Sequence, residues 1–234
     1  MTTPPPAHPG MALSEVDTPA LLIDLDSFER NLRRMAAATA SAKVRLRPHA
    51  KTHKSPIIAQ KQIALGAVGV CCQKVSEAEV LIRDGVGDIL ISNEIAGAAK
   101  LDRLAALARR ARIAVCTDNI DNVAEIAAAA QRHDVNLPVL VEIDVGGHRC
   151  GVEPGEPALR VESAIARSNS LKFGGLQAYH GAAQHIRSYQ ERQNAIMQAC
   201  ERTRATIDLL TREGLACEIV GGAGTGTYEH EAAS

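Results

Sequence analysis

In Arg47-Pro48-His49-Ala50-Lys51-Thr52-His53-Lys54, a lysine stands between two histidines just after a short apolar run. Lys51 is a candidate Schiff-base amine. Its ordinary pKa of about 10.4 makes it a poor nucleophile at neutral pH. Partial burial and a nearby cation, for which Arg47 is the candidate, would lower that value and free the lone pair. Far along the chain, Gly221-Gly222-Ala223-Gly224-Thr225-Gly226-Thr227 offers a different capacity. Glycines let backbone N–H groups converge on an anion, and threonine hydroxyls add donors. No Gly-Lys-Ser/Thr follows, so this is not a Walker loop. Each signal is weak alone. Lys51 also reads as a solvated loop lysine, His49 and His53 as mutual structural partners, and the glycines as any flexible loop.

The elements that must position these groups alternate regularly. Apolar, β-branched runs lie at 21–25, 44–46, 68–72, 88–91, 113–116, 139–143, 173–178 and 218–220. Amphipathic, alanine-rich stretches lie at 27–40, 55–65, 76–84, 97–111, 119–133, 156–167 and 188–213. Ser76-x-x-Glu79 reads as a capping box, and Gly66, Gly85 and Gly214 read as helix stops. Strands alternating with helices predict βα units around a parallel sheet. No GxGxxG follows the first run, which counts against a dinucleotide-binding Rossmann fold. Seven or eight units predict an α/β fold, a (β/α)8 TIM-type barrel, in which catalytic groups gather at the strand C-termini. The residues just past each run fit that rule: Lys51; Gln73; Ser92 and Asn93; Asp144, His148 and Arg149; Tyr179, His180 and His185; and the glycine loop. A Schiff-base lysine after one strand and a phosphate loop after another suit pyridoxal 5′-phosphate (PLP).

Composition narrows the alternatives. Of 234 residues, 46% are apolar and 23% charged, with a net charge of −1. Near-zero charge and 2% aromatics argue against nucleic-acid binding, and no apolar run of about 18 residues is present to span a membrane. The six cysteines form no zinc-ribbon or CxxC pattern, which predicts reduced thiols and a cytoplasmic setting. His180 and His185 are five apart and could share a face, but no metal set is complete. Residues 1–12 are proline-rich without an apolar core and predict a disordered leader, leaving 13–234 as one barrel domain.

The motifs resemble the fold-type III PLP enzymes related to alanine racemase, within them the D-threonine aldolase, 3-hydroxy-D-aspartate aldolase and D-serine dehydratase group. The matching pieces are Asp17-Thr18-Pro19-Ala20 with Ile23-Asp24, the segment 47–54, the segment 141–151 running through Asp144-Val145-Gly146-Gly147-His148-Arg149-Cys150-Gly151, and 221–228. The resemblance implies Lys51 as the cofactor-linked lysine, Arg149 and Tyr179 as cofactor contacts, and Gly222, Gly224 and Thr225 as phosphate holders. His185 falls where the aldolases carry a histidine near the metal and the substrate hydroxyl. Gln73, Ser92 and Asn93 follow from strand position alone. Ala223 replaces one glycine of the family's loop.

Family members continue into a C-terminal β-domain that supplies the ligands for a divalent ion, Mg or Mn, so no metal ligand is expected here. The resemblance therefore implies a barrel lacking its final strand and that domain, and a homodimer at full length. The expected activity is cleavage of a D-3-hydroxy amino acid, of the 3-hydroxy-D-aspartate or D-threonine type, to glycine and an aldehyde such as glyoxylate. Arg149 would stabilise electron density on the cofactor. Two alternatives stay open: a dehydratase on the same scaffold, and a non-catalytic PLP carrier.

Overall fold

The computed structural model describes residues 5–234, so the first four residues of the expected leader lie outside the described part. Six parallel strands form one sheet in chain order: β1 Val70–Cys72, β2 Asp88–Glu94, β3 Arg112–Thr117, β4 Leu137–Glu142, β5 Leu171–Gln177 and β6 Ile219–Gly221. The helices are α1 Leu25–Ser41, α2 Pro56–Ala64, α3 Val75–Arg83, α4 Ala98–Leu107, α5 Ile120–Arg132, α6 Glu156–Ala166, α7 Tyr189–Arg212 and α8 Tyr228–Glu231. Right-handed βα crossovers laid side by side in order curl a sheet toward a barrel. This is a partial TIM-type barrel, with β1 and β6 at its two edges among the described residues.

Strand alternation sorts the side chains onto two faces. Ile89 and Ile91, Ile113 and Val115, and Val139 and Val141 point outward into a large core shared with the helices. Burying each such side chain is worth about 1.5–3 kcal/mol. Leu90, Ala114, Cys116 and Leu140 point inward and form a second, much smaller cluster with Cys71 and Ile219. The same alternation carries Ser92 and Glu142, two residues beyond Leu90 and Leu140, onto the inner face.

Helix boundaries follow local chemistry. Ser55 caps α2, its hydroxyl accepting from the Ile58 N–H, and proline occupies the first turn. Gly66, Gly85 and Gly214 end α2, α3 and α7 in the left-handed region, with φ of 102°, 94° and 78°.

Four expectations need correction. The run 21–25 is not a strand: Leu21, Leu22 and Ile23 are exposed, and Asp24 caps α1 by accepting from Ser27 N–H at 2.7 Å. The apolar letters there read like a strand, but the aspartate starts a helix. The run 44–46 is not a full strand either. It runs beside β1 through Val68 N–H to Leu46 O, Cys71 N–H to Pro48 O and Ala50 N–H to Cys71 O, and only His49 forms a bridge with Cys71. Six strands therefore pair, where seven or eight were expected. Ser76 is no cap, because α3 begins at Val75 and Glu77, not Glu79, accepts the N-terminal amide of Gln73 at 2.8 Å.

Candidate active site

Lys51 sits in the turn after the segment bridged to β1, so it emerges at the C-terminal end of the sheet. Its backbone N–H donates to His49 Nδ1 at 3.2 Å, and His49 Nε2 lies 3.3 Å from Ser92 Oγ on β2. Because Nδ1 accepts, Nε2 carries the ring proton and donates to the serine. Burial, reinforced by the Lys51 charge, lowers the His49 pKa to about 4, so the ring is neutral at physiological pH. His53 Nδ1 accepts from Ser55 N–H at 3.0 Å, tying the end of this turn to the start of α2.

Arg47 is not the cation beside Lys51. Its guanidinium pairs with Asp88 at 2.7 Å, at the N-terminal end of β2 and hence the opposite end of the sheet. The extended path explains the miss: sequence proximity placed the arginine near the lysine, but the strand-like segment from Arg47 to Ala50 rises about 3.3 Å per residue and separates them along the sheet axis.

Arg149 is delivered by the loop after β4. Asp144 organises this loop by accepting N–H groups from Gly146 at 2.9 Å and His148 at 3.0 Å. Gly151 is required next to it: its φ is +100°, and a Cβ would lie 2.6 Å from Asp144 N. Arg149 lies 5.8 Å over the Tyr179 ring in a cation–π arrangement, and its Nη2 lies 3.7 Å from Glu142 Oε1. Tyr179 Oη accepts from Gln184 Nε2 at 2.5 Å, and Gln184 Oε1 accepts from Gly226 N–H at 3.2 Å. A chain of contacts thus runs from the inner face, through Arg149 and Tyr179, to the glycine loop.

The glycine loop follows β6, and Ala223 in it adopts φ +70°. A Cβ on Gly222 would lie 2.7 Å from Ala178 O, and one on Gly224 would overlap the Gln184 amide. Part of the loop is internally satisfied: Ala223 N–H donates to Glu231 Oε1 at 3.1 Å and Gly224 N–H to Thr227 Oγ1 at 3.0 Å. Among the described residues, the N–H groups of Gly222 and Thr225 have no acceptor. These two amides and the exposed Thr225 hydroxyl are what remains to hold an anion.

The other expected residues are placed less closely. His185 is exposed at the end of the 3-10 turn Gly181–His185, and Gln73 and Asn93 are half-buried with no side-chain hydrogen bond among the described residues. His180 packs on Gly146, and its buried Nδ1 has no partner.

Sequence reasoning placed Glu94 just past the run 88–91 without giving it a role, and it missed Glu142 as a site group. Glu142 is only 3% exposed, and Glu142, Glu94 and Cys150 bring their polar atoms within 4.8 Å of one another. A carboxylate inside the apolar run 139–143 was the available signal. Gln184 and Glu231 had none, because their roles arise from loop contacts across the chain, whereas Thr227 was legible only as a hydroxyl of the glycine loop.

Comparison with known proteins follows the same lines. The family model described as alanine racemase, N-terminal domain matches residues 23–233. D-threonine aldolase of Arthrobacter sp is 48% identical over 99% of this chain and 61% of that protein. 3-Hydroxy-D-aspartate aldolase of Paracoccus denitrificans is 46% identical over 98% of this chain and 60% of that protein. The crystal structure of D-threonine aldolase from Filomicrobium marinum superposes with a TM-score of 0.96 at 52% identity, covering 98% of this chain and 62% of that one. The chain therefore spans about three fifths of the length of these relatives.

Proposed function

The chain belongs to the alanine racemase N-terminal-domain family, and on that premise we propose that residues 13–234 are the PLP-binding barrel domain of an aldolase. The reaction is cleavage of a D-3-hydroxy amino acid to glycine and an aldehyde, glyoxylate when the substrate is 3-hydroxy-D-aspartate. The single observation that carries this reading is the shared address of Lys51, the Arg149–Tyr179 pair and the glycine loop, all at the C-terminal ends of the parallel strands. The names of the relatives at 48% and 46% identity support the aldolase over a dehydratase.

The residues fit the cofactor. Gly222 and Gly224 sit where a Cβ would strike Ala178 O and the Gln184 amide, so the loop backbone stays bare, the Gly222 and Thr225 N–H groups have no acceptor among the described residues, and Lys51 supplies the amine. PLP, when bound, acts as the electron sink for bond cleavage at the substrate α-carbon. The chain's own side chains have narrower tasks. Lys51 would hold the cofactor through its ε-amine and would give up that place to the substrate amine. Tyr179 and Arg149 would contact the cofactor, with Arg149 supplying positive charge to it. Gly222, Gly224 and Thr225 orient the phosphate, and Gln73 approaches from the end of β1. His185, exposed at the end of the turn Gly181–His185, would take the proton from the β-hydroxyl oxygen.

A divalent ion and a homodimer in the cytoplasm complete the proposal. The residues here do not supply that ion's site. The cluster Glu94–Glu142–Cys150 is a poor donor set, because burial pushes the Cys150 thiol up to about 12 and the Arg149 guanidinium already approaches Glu142.

The test is an absorbance scan of the purified protein for the visible band of a lysine-linked pyridoxal, with Lys51→Ala as control, followed by product analysis on 3-hydroxy-D-aspartate. A band lost in Lys51→Ala, with glycine and glyoxylate as products, is expected. Oxaloacetate and ammonia would overturn the aldolase in favour of the dehydratase. A band without turnover would favour a PLP carrier.

A further inference from the structure

Two carboxylates converge on the inner face of the sheet without an obvious need to do so. Glu142 ends β4, and Glu94 ends β2 just past a register shift between Ile91 and Glu94. The Glu142 side chain accepts from the Cys150 thiol at 3.0 Å through Oε1. Its Oε2 is buried without a partner, and so is Glu94 Oε1. The groups facing Glu142 are Glu94 from β2, Cys116 from β3, and Arg149 and Cys150 from the loop after β4. Cys116 and Cys150 are thiols held neutral by burial. The charge in this pocket is therefore set by two carboxyl groups and one guanidinium.

Glu142 is buried and Glu94 only partly so, and burial together with this close carboxyl neighbour disfavours a negative charge on Glu142. We propose that Glu142 holds a proton against the neighbouring Glu94, and that this arrangement is the positioning element for Arg149, holding its guanidinium between the two carboxyl groups and the Tyr179 ring. The proposal rests on the assignment of Arg149 to the cofactor site. Loss of that proton leaves a negative charge on Glu142 below Arg149 and draws the guanidinium inward, off Tyr179 and away from the cofactor. Burial first, and Glu94 second among the groups that raise it, push Glu142 up to about 7, which puts this change in the neutral range.

The experiment uses the cofactor-loaded protein with Glu142→Gln, Glu142→Ala and Glu94→Gln. Infrared difference spectra between pH 5 and pH 9 read the protonated carboxyl directly. A carboxylic-acid band that disappears near neutral pH is expected, and it is absent in Glu142→Gln. Over the same range the visible cofactor band shifts in the unmodified protein and stays fixed in Glu142→Gln. Glu142→Ala lowers kcat by about tenfold, the equivalent of one hydrogen bond to a charged group, with KM changed less than kcat. The glutamine, a neutral stand-in for the protonated acid, restores most of that loss. Glu94→Gln moves the midpoint of the remaining carboxyl down, because its like-charged neighbour is gone. Three outcomes overturn the proposal: a carboxylic-acid band unchanged in Glu142→Gln, a cofactor band that titrates identically in both proteins, or a divalent ion bound at the pair and released by Glu142→Gln. Failure of the cofactor reading itself looks different: no visible band appears at all, while the infrared band still reports on the pair.

Discussion

The two faces of the sheet are built from the same strands and yet differ in kind. The outer face is large, apolar and sealed by helices, with Ile89, Ile113, Val139, Leu104 and Ile126 all at most 2% exposed. The inner face is small and mixed. Leu90, Ala114, Cys116 and Leu140 form its floor, and Ser92, Glu94 and Glu142 sit above them at the strand ends. The outer face holds the sheet together, and the inner face is where polar groups are tolerated, Ser92 against His49 and Glu142 against the Cys150 thiol. Stability and chemistry are thus separated by a single residue step along each strand.

Substitution at Gly175 would test that separation most severely. Its φ is +128°, and a Cβ would lie 1.9 Å from Ile219 O, the backbone that pairs β5 with β6. Gly175→Ala is expected to cost about 3 kcal/mol or more and to pull β6 away, taking the glycine loop with it. Urea unfolding and cofactor retention should fail together. Retained cofactor at normal affinity would show that the loop does not depend on β6 pairing.

Matched truncations compare the faces directly. Leu104→Ala, in the outer core, is expected to cost about 3–4 kcal/mol because the packed helices cannot collapse into the void. Leu140→Ala is also fully buried but sits in the small inner cluster, where neighbours can relax, and about 2 kcal/mol is expected. Only the inner substitution should shift the cofactor spectrum. Equal costs with no spectral difference would erase the distinction. A smaller effect is expected at Asn119, whose side chain accepts from the Asp121 and Asn122 N–H groups at the start of α5. Asn119→Ala should cost about 1 kcal/mol, read by thermal melting, and leave the inner face untouched.

The outer face was legible in the sequence and the inner one largely was not. The helices came from 3.6-residue periodicity, alanine content and stop glycines, and α2 to α7 lie within a few residues of the expected ranges. Those signals depend on a face that must be apolar, which is the outer one. The reactive residues were found by a different signal, their position just past each strand. Glu142 escaped because strand alternation puts it inside an apolar run, where it read as part of the strand. The run 21–25 misled for the converse reason: its leucines are apolar in sequence but exposed in the fold. Arg47 misled because a neighbour in sequence lies at the other end of the sheet.

The smallest expected effect is also the most diagnostic of the inner face. His49 binds its proton at about pH 4 in the fold and near 6.5 in the unfolded chain. Between those values the unfolded chain holds more protons, so this contribution to stability is complete above pH 6.5 and is lost as pH falls toward 4. Glu142 works in the opposite sense. The fold keeps its proton up to about pH 7, whereas the unfolded carboxyl releases it near 4.5. Its contribution is therefore greatest below pH 4.5 and is lost as pH rises toward 7. The windows overlap between pH 4.5 and 6.5, where the two slopes oppose. The unmodified protein should show a melting temperature that is nearly flat there, since the difference is within about 1 kcal/mol once solvent screening at the half-buried His49 is allowed for. His49→Asn removes one slope, and stability should then rise as the solution is acidified through the window. Glu142→Gln removes the other, and stability should fall over the same range. Curves that stay flat in both variants would mean that neither group carries its shift into folding, and the inner face would then be electrostatically as inert as the outer one.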